Sequence, residues 1–158
     1  MIYKIKPEGS REIFDPNGDI EEVPVSSHSL VYSNGALLSV QISQPLSVAE
    51  RIQTKSRQTI NIKFNALIDT GASITVISPS VAEQLNLVHT GFNQIASVHN
   101  VEKRPVYYGR VTFPWGASVE ISLVSCDLQG IDCLIGRDII KNWVMIFDGV
   151  NGEITICD

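Results

Sequence analysis

Two stretches of the chain alternate apolar and polar residues with a period of two. Leu38, Val40 and Ile42 alternate with Ser39, Gln41 and Ser43, and Ile60, Ile62, Phe64 and Ala66 alternate with Asn61, Lys63 and Asn65. That period puts every apolar side chain on one face of an extended strand. Residues 106–113 and 119–124 read as two more strands, joined at Pro114-Trp115-Gly116. The chain closes on a hairpin, 144–147 and 154–157, turned through Asp148-Gly149 and Asn151-Gly152. Short strands joined by tight turns predict a mostly-β domain.

Two or three brief helices interrupt this pattern. Ser47-x-x-Glu50 is a capping box, with Val48, Ala49 and Ile52 as apolar surface. Ser78-Pro79 places a cap before proline at the first helical position, and Val81, Ala82 and Leu85 give that helix a buried face. Gly136-Arg137-Asp138 leads into a third, with Ile139, Ile140 and Trp143.

Residues 1–33 differ from residues 34–158. Glu8, Glu12, Asp15, Asp19, Glu21 and Glu22 cluster there with Pro7, Pro16 and Pro24, and Pro16-Asn17-Gly18 reads as a turn. The segment is expected to be an acidic arm or hairpin. Asp15-x-Asn17-x-Asp19 has the spacing of a calcium loop, but Ile20 stands where such a loop needs glycine, so a solvated turn is the reading. The arm is open to three roles: a removable pro-segment, strands that complete a dimer sheet, or a hairpin packed on its own subunit.

At 158 residues the chain suits one domain with a core of its own. A net charge of -5 argues against nucleic acid or anionic membrane as the main partner. Charged residues are 18% of the chain, below the average of about 25%, which leaves apolar surface for another chain to cover. No apolar run is long enough to span a membrane, and the start lacks the apolar stretch of a secretion signal. Cys126, Cys133 and Cys157 are an odd number without Cys-x-x-Cys spacing, which predicts reduced thiols in a cytoplasmic protein. His28, His89 and His99 are scattered, without ligand spacing, so no metal is expected.

The segment that carries chemistry is Ala66-Leu67-Ile68-Asp69-Thr70-Gly71-Ala72-Ser73. The alternation stops at Ala66-Leu67-Ile68, as it does where both faces of a strand are buried. Asp69 then stands at the end of a rigid strand, at the mouth of a tight turn. Gly71 permits a sharp bend and a close approach by ligand or backbone. A carboxylate held in this way suits catalysis better than one free in solvent. Asp-Thr-Gly alone is also a common turn, so its context decides: Thr75-Val76-Ile77 follows it, and Cys133-Leu134-Ile135-Gly136-Arg137-Asp138-Ile139-Ile140 comes later.

These two motifs in this order resemble the retropepsin-like aspartic proteases, the cellular and bacterial-type members more than the retroviral ones. The resemblance covers residues 34–158 and leaves the arm unexplained. It implies an acid-protease fold, a closed β-barrel that works as a homodimer. It also implies an aspartic endopeptidase that needs no cofactor. Two like carboxylates in contact share one proton; the ionised one draws a proton from water, and the protonated one donates to the peptide carbonyl. One chain has one Asp-Thr-Gly, so the resemblance implies two Asp69 residues facing a two-fold axis. Thr70 would brace the pair, Gly71 and Ala72 would hold the main chain of a peptide or protein substrate, and Leu134 would line an apolar pocket. The expected flap spans residues 94–107, with its tip at Ser97-Val98-His99-Asn100-Val101.

Two features depart from the viral pattern. Ser73 replaces the aspartate that partners the arginine of the second motif, so Arg137 needs another partner, either Asp138 or a carboxylate of the other subunit. The flap also lacks the viral run of glycines. A non-catalytic peptide-binding or dimerisation module on the same fold is the alternative function. The trio Asp69, Thr70 and Gly71 weighs against it.

Overall fold

The computed structural model describes residues 2–6, 10–14, 20–26, 35–48, 62–96 and 101–157. The turn at Pro16-Asn17-Gly18, the Asp15 and Asp19 carboxylates, Ile60 and His28 lie outside them. The chain divides into two compact units, Met1–Leu38 with Asn142–Asp158, and Ser39–Lys141.

The second unit is built on a seven-stranded sheet. Its strands are β4 (Leu37–Ser43, which starts in the first unit), β5 (Lys63–Ile68), β6 (Val76–Ile77), β7 (Val88–Ala96), β8 (Val101–Thr112), β9 (Ser118–Ser125) and β10 (Cys133–Ile135). They lie in the order β4-β5-β10-β6-β9-β8-β7, and β4 pairs with β8 as well. The predicted alternation holds in β4, where Leu38, Val40 and Ile42 are buried and the residues between them are not. In β5, Phe64, Ala66 and Ile68 are buried while Leu67 is half-buried. Ile77, Val111, Leu123 and Ile135 are also inside, which removes their apolar surface from water.

Helix α1 (Pro79–Gln84) starts where Ser78-Pro79 predicted. Ser78 is extended there, but its hydroxyl makes no capping bond and instead meets the Ser80 hydroxyl at 2.9 Å. The helix ends at Leu85, and Asn86 follows with φ of 47°, a left-handed conformation that asparagine tolerates. Gln44 Nε2 donates to the carbonyls of Leu85 and Asn86, satisfying two groups that the helix end leaves open. The earlier helical turn begins at Leu46, so Ser47 lies inside it rather than capping it. Glu120 accepts the Leu46 N–H at 2.7 Å and supplies that cap from another strand.

The β8–β9 turn closes as expected at Pro114-Trp115-Gly116. Phe113 N donates to Ala117 O at 2.8 Å, and the rings of Phe113 and Trp115 stack with centroids 5.0 Å apart. Upstream, β7 and β8 form a long hairpin running from Val88↔Tyr108 to Ala96↔Val101, with a register shift between His89 and Gly91. The tip, including Val98, His99 and Asn100, lies outside the described residues.

The first unit holds β1 (Ile2–Ile5), β11 (Val144–Asp148) and β12 (Glu153–Cys157), in the order β1-β12-β11. Its terminal hairpin is the one predicted, and Ile154 and Ile156 are its buried residues. The N-terminal arm starts with a strand paired to the same chain: Ile2 faces Cys157 and Ile5 faces Ile154. Two further strands, β2 (Ser10–Phe14) and β3 (Ile20–Pro24), pair with each other.

Candidate active site

The site is assembled where β5 ends beside β10. These strands are parallel, with Ala66, Leu67 and Ile68 opposite Cys133, Leu134 and Ile135. The ladder continues one residue further, because Asp69 N donates to Ile135 O at 3.0 Å. Asp69 therefore leaves the sheet with its main chain still fixed. Side chains alternate along a strand, so Asp69 shares a face with Leu67, and Leu134 stands beside Leu67 on that face. Leu67 and Leu134 are both half-buried, an apolar pair next to the carboxylate. Leu67 was missed in the sequence because its apolar run hid which face it occupies.

Asp69 is half-buried, while Thr70 and Gly71 are exposed. The Gly71 N–H donates to Asp69 Oδ1 at 2.7 Å, so the turn itself orients the carboxylate. The Ala72 N–H donates to Asp69 O at 3.3 Å. A Cβ on Gly71 would sit 3.0 Å from Asp69 Oδ1, which explains the glycine without any unusual φ. Among the described residues the Thr70 and Ser73 hydroxyls make no hydrogen bond.

Arg137 closes the far side of the turn. Its Nη1 donates to Thr70 O at 2.8 Å and to Gly71 O at 2.9 Å, and its backbone N–H donates to Ala72 O at 2.9 Å. One residue thus holds three consecutive carbonyls, each of which keeps a second lone pair for another donor. The partner expected for Arg137 within the chain, Asp138, is taken elsewhere. Asp138 Oδ2 accepts the Thr75 N–H at 2.9 Å, and Oδ1 accepts the Thr75 hydroxyl at 2.7 Å. The guanidinium, lacking a carboxylate at Ser73, turns to backbone oxygens instead.

Thr75 is fully buried, and its hydroxyl oxygen also accepts the Gly136 N–H at 3.1 Å. A Cβ on Gly136 would lie 2.4 Å from the Ile74 carbonyl carbon, so the two motifs touch backbone to backbone. Helix α2 (Arg137–Ile140) starts from this contact, and Trp143 lies beyond its end. The sequence did carry a signal for Thr75: a hydroxyl directly before the buried Val76-Ile77 must find a partner.

Cys133 is buried beside the site-bearing strand. Burial, and then the charges of Asp132 and Asp138, push its thiol up to about 12, so it stays protonated. Among the described residues no three His, Cys, Asp or Glu side chains are grouped as metal ligands. No described helix is long and apolar enough to cross a membrane. A cavity of about 340 Å³ lined in part by Val40, Lys63 and Phe113 includes none of the site residues.

The family model for the gag-polyprotein putative aspartyl protease matches residues 56–142, more than half of the chain and both motifs. The chain belongs to this family. A solved retropepsin-like aspartic protease from Rickettsia conorii shares the fold, with a TM-score of 0.51 at 12% identity over 99% of this chain and 91% of that one. EIAV protease in complex with an inhibitor matches with a TM-score of 0.47 at 17% identity, over 68% of this chain and 86% of that one. Simian foamy virus protease matches with a TM-score of 0.45 at 18% identity, over 67% and 92%. No curated protein matches at a significant level. Family and fold are those of the aspartic proteases, and the chain is mostly β.

Proposed function

We propose that the chain is an aspartic endopeptidase that works as a homodimer, with one Asp69 from each subunit at a shared two-fold axis. One observation carries this reading. Asp69 is fixed by the β5–β10 ladder through its N–H and by Gly71 through its Oδ1, on a turn whose carbonyls Arg137 holds. A carboxylate oriented before substrate arrives costs no reorganisation during reaction. Asp69 Oδ2 makes no hydrogen bond among the described residues, which leaves it for the second carboxylate and the water between them.

In this reading the paired Asp69 carboxylates carry one proton. The ionised one takes a proton from the attacking water, and the protonated one donates to the carbonyl oxygen of the scissile peptide. Thr70, exposed and without a partner among the described residues, braces the other subunit. Gly71, Ala72 and Ser73 bind an extended peptide through their main chain. Leu134 lines an apolar pocket with Leu67. Val98, His99 and Asn100, the flap tip expected from the sequence, cover the substrate and exclude water. Strand pairing that runs from β4 through β5, β10, β6, β9 and β8 back to β4 supports a closed barrel.

The test is cleavage of a diverse peptide library by purified protein and by Asp69→Asn, across acid to neutral pH. Cleavage at defined bonds that the variant lacks is the expected result. Equal cleavage by the variant, or none by a verified wild-type dimer, overturns the reading.

A further inference from the structure

The β7–β8 hairpin carries an aromatic cluster on one face. The His89 ring meets Phe92 edge-on with centroids 5.0 Å apart, and Tyr107 at 5.5 Å. Lys103 Nζ stands 4.7 Å from the centre of the Phe92 ring. A break in the ladder builds this cluster. His89 pairs with Tyr107 and Gly91 with Val106, so Thr90 is an extra residue between them. In an unbroken strand His89 and Phe92 would point to opposite faces, and the bulge brings them to the same one. The Thr90 hydroxyl holds the bulge by donating to Val106 O at 3.2 Å, and Gly91 supplies a φ of 147° that other residues rarely adopt.

The register separates this cluster from the Asp69 face. Residues opposite each other on paired strands share a face. Leu67, on the face of Asp69, is opposite Leu134, Leu134 is opposite Val76, Val76 is opposite Val124, and Val124 is opposite Val106. Tyr107 follows Val106 and so lies on the other face, together with His89, Phe92 and Lys103.

Exposure and charge say what the cluster fits. Phe92 is 59% exposed, and His89 and Lys103 are exposed as well. Among the described residues Lys103 makes no ion pair. Its contact with the ring leaves N–H donors for an acceptor. Glu102 is the one acidic residue of β7 and β8; it lies on the opposite face, where it pairs with Arg104. The face is therefore aromatic and basic on a chain whose net charge is -5.

We infer that this face docks an acidic segment with an aromatic side chain, carried by a protein substrate away from its scissile bond. The aromatic residue packs on Phe92, and its acidic neighbours accept from Lys103. That the segment comes from a substrate rests on the proposed protease reading; the docking does not.

The experiment titrates the full chain carrying Asp69→Asn, so that no peptide is cut, and reads its amide NMR signals. The probes are acetyl-Glu-Glu-Phe-Glu-Glu-amide, the same peptide with lysine for each glutamate, and the same with glycine for phenylalanine. The first should shift His89, Phe92 and Lys103 and leave Gly71 and Ala72 in place. Lys103→Gln should weaken it about tenfold, and the other two peptides should bind at least as weakly. Equal binding of the lysine peptide, shifts confined to Gly71 and Ala72, or unchanged affinity in both Lys103→Gln and Phe92→Ser overturns the docking. Phe92→Ser that turns a dimer into a monomer gives the face to a second copy and also overturns it. In the wild-type chain, a cleaved library peptide extended by the acidic segment through a flexible linker should show a lower KM at unchanged kcat, an advantage that Lys103→Gln removes. No such advantage at any linker length overturns a substrate as the source. Docking without Asp69-dependent cleavage overturns the protease reading and leaves the docking intact, and cleavage without docking does the reverse.

Discussion

Asp138 grips Thr75 at two points, taking the backbone N–H on Oδ2 at 2.9 Å and the hydroxyl on Oδ1 at 2.7 Å. The same hydroxyl oxygen accepts the Gly136 N–H. The carboxylate of the second motif therefore acts on the loop that follows the first, and fixes the distance between them. Thr75→Val keeps the shape but leaves a buried N–H and a carboxylate oxygen without their partner. We expect a loss of about 1–3 kcal/mol in urea unfolding, with Thr75→Ser recovering most of it.

Gly136→Ala should be worse than its single methyl suggests. The new Cβ would meet Ile74 backbone, which cannot rotate away as a side chain can. Overpacking of this kind costs about 1–3 kcal/mol, and separating the motifs adds to it. Thermal melts of Gly136→Ala and Gly109→Ala make the comparison. At Gly109 the closest atom is a movable Leu123 methyl at 2.8 Å, so the smaller drop is expected there.

Gly71→Ala separates catalysis from stability. Its Cβ would press on the Asp69 carboxylate at 3.0 Å and on no backbone atom within 4 Å outside its chain neighbours. The carboxylate must give way by a few tenths of an ångström. Peptide cleavage should fall about tenfold or more, since small misplacement at a reacting group is costly. The melting temperature should stay within a few degrees of wild type.

Arg137→Lys keeps the charge but loses the rigid planar guanidinium whose Nη1 reaches Thr70 O and Gly71 O together. An ammonium is a point donor on a shorter reach. Hydrogen exchange at Gly71 and Ala72 should rise, and cleavage should fall with kcat rather than KM. Unchanged exchange at both amides would show that the guanidinium does not hold the turn.

The Cys133 thiol gives a pH prediction. Its ordinary value is 9.0 and the fold raises it to about 12. Between those values the unfolded chain has lost the proton and the folded chain has kept it. Stability is thus full below about pH 9 and declines as pH rises toward 12. Cys133→Ala should flatten that decline in denaturant titrations between pH 8 and 11. In the native protein at pH 8, thiol reagents should modify Cys126 and Cys157 and spare Cys133, which is buried.

The sequence by itself determined the elements. Period-two alternation at Leu38, Val40 and Ile42 yields β4, the proline after Ser78 starts α1, and glycine-bearing turns end the strands, because each signal acts within a few residues. It also marked Asp69 and Gly136 as belonging to one constellation. Tertiary structure alone decided who holds whom. Ser73 raised the question of a partner for Arg137, and two backbone carbonyls answered it. Caps went to distant residues, Glu120 for the turn at Leu46 and Gln44 for the end of α1. Leu67 came beside Leu134 only when β5 and β10 aligned in parallel. Local backbone preference is written in neighbouring residues. A hydrogen bond between residues more than sixty positions apart, such as Thr75 to Asp138, exists only once the sheet has brought its two ends together.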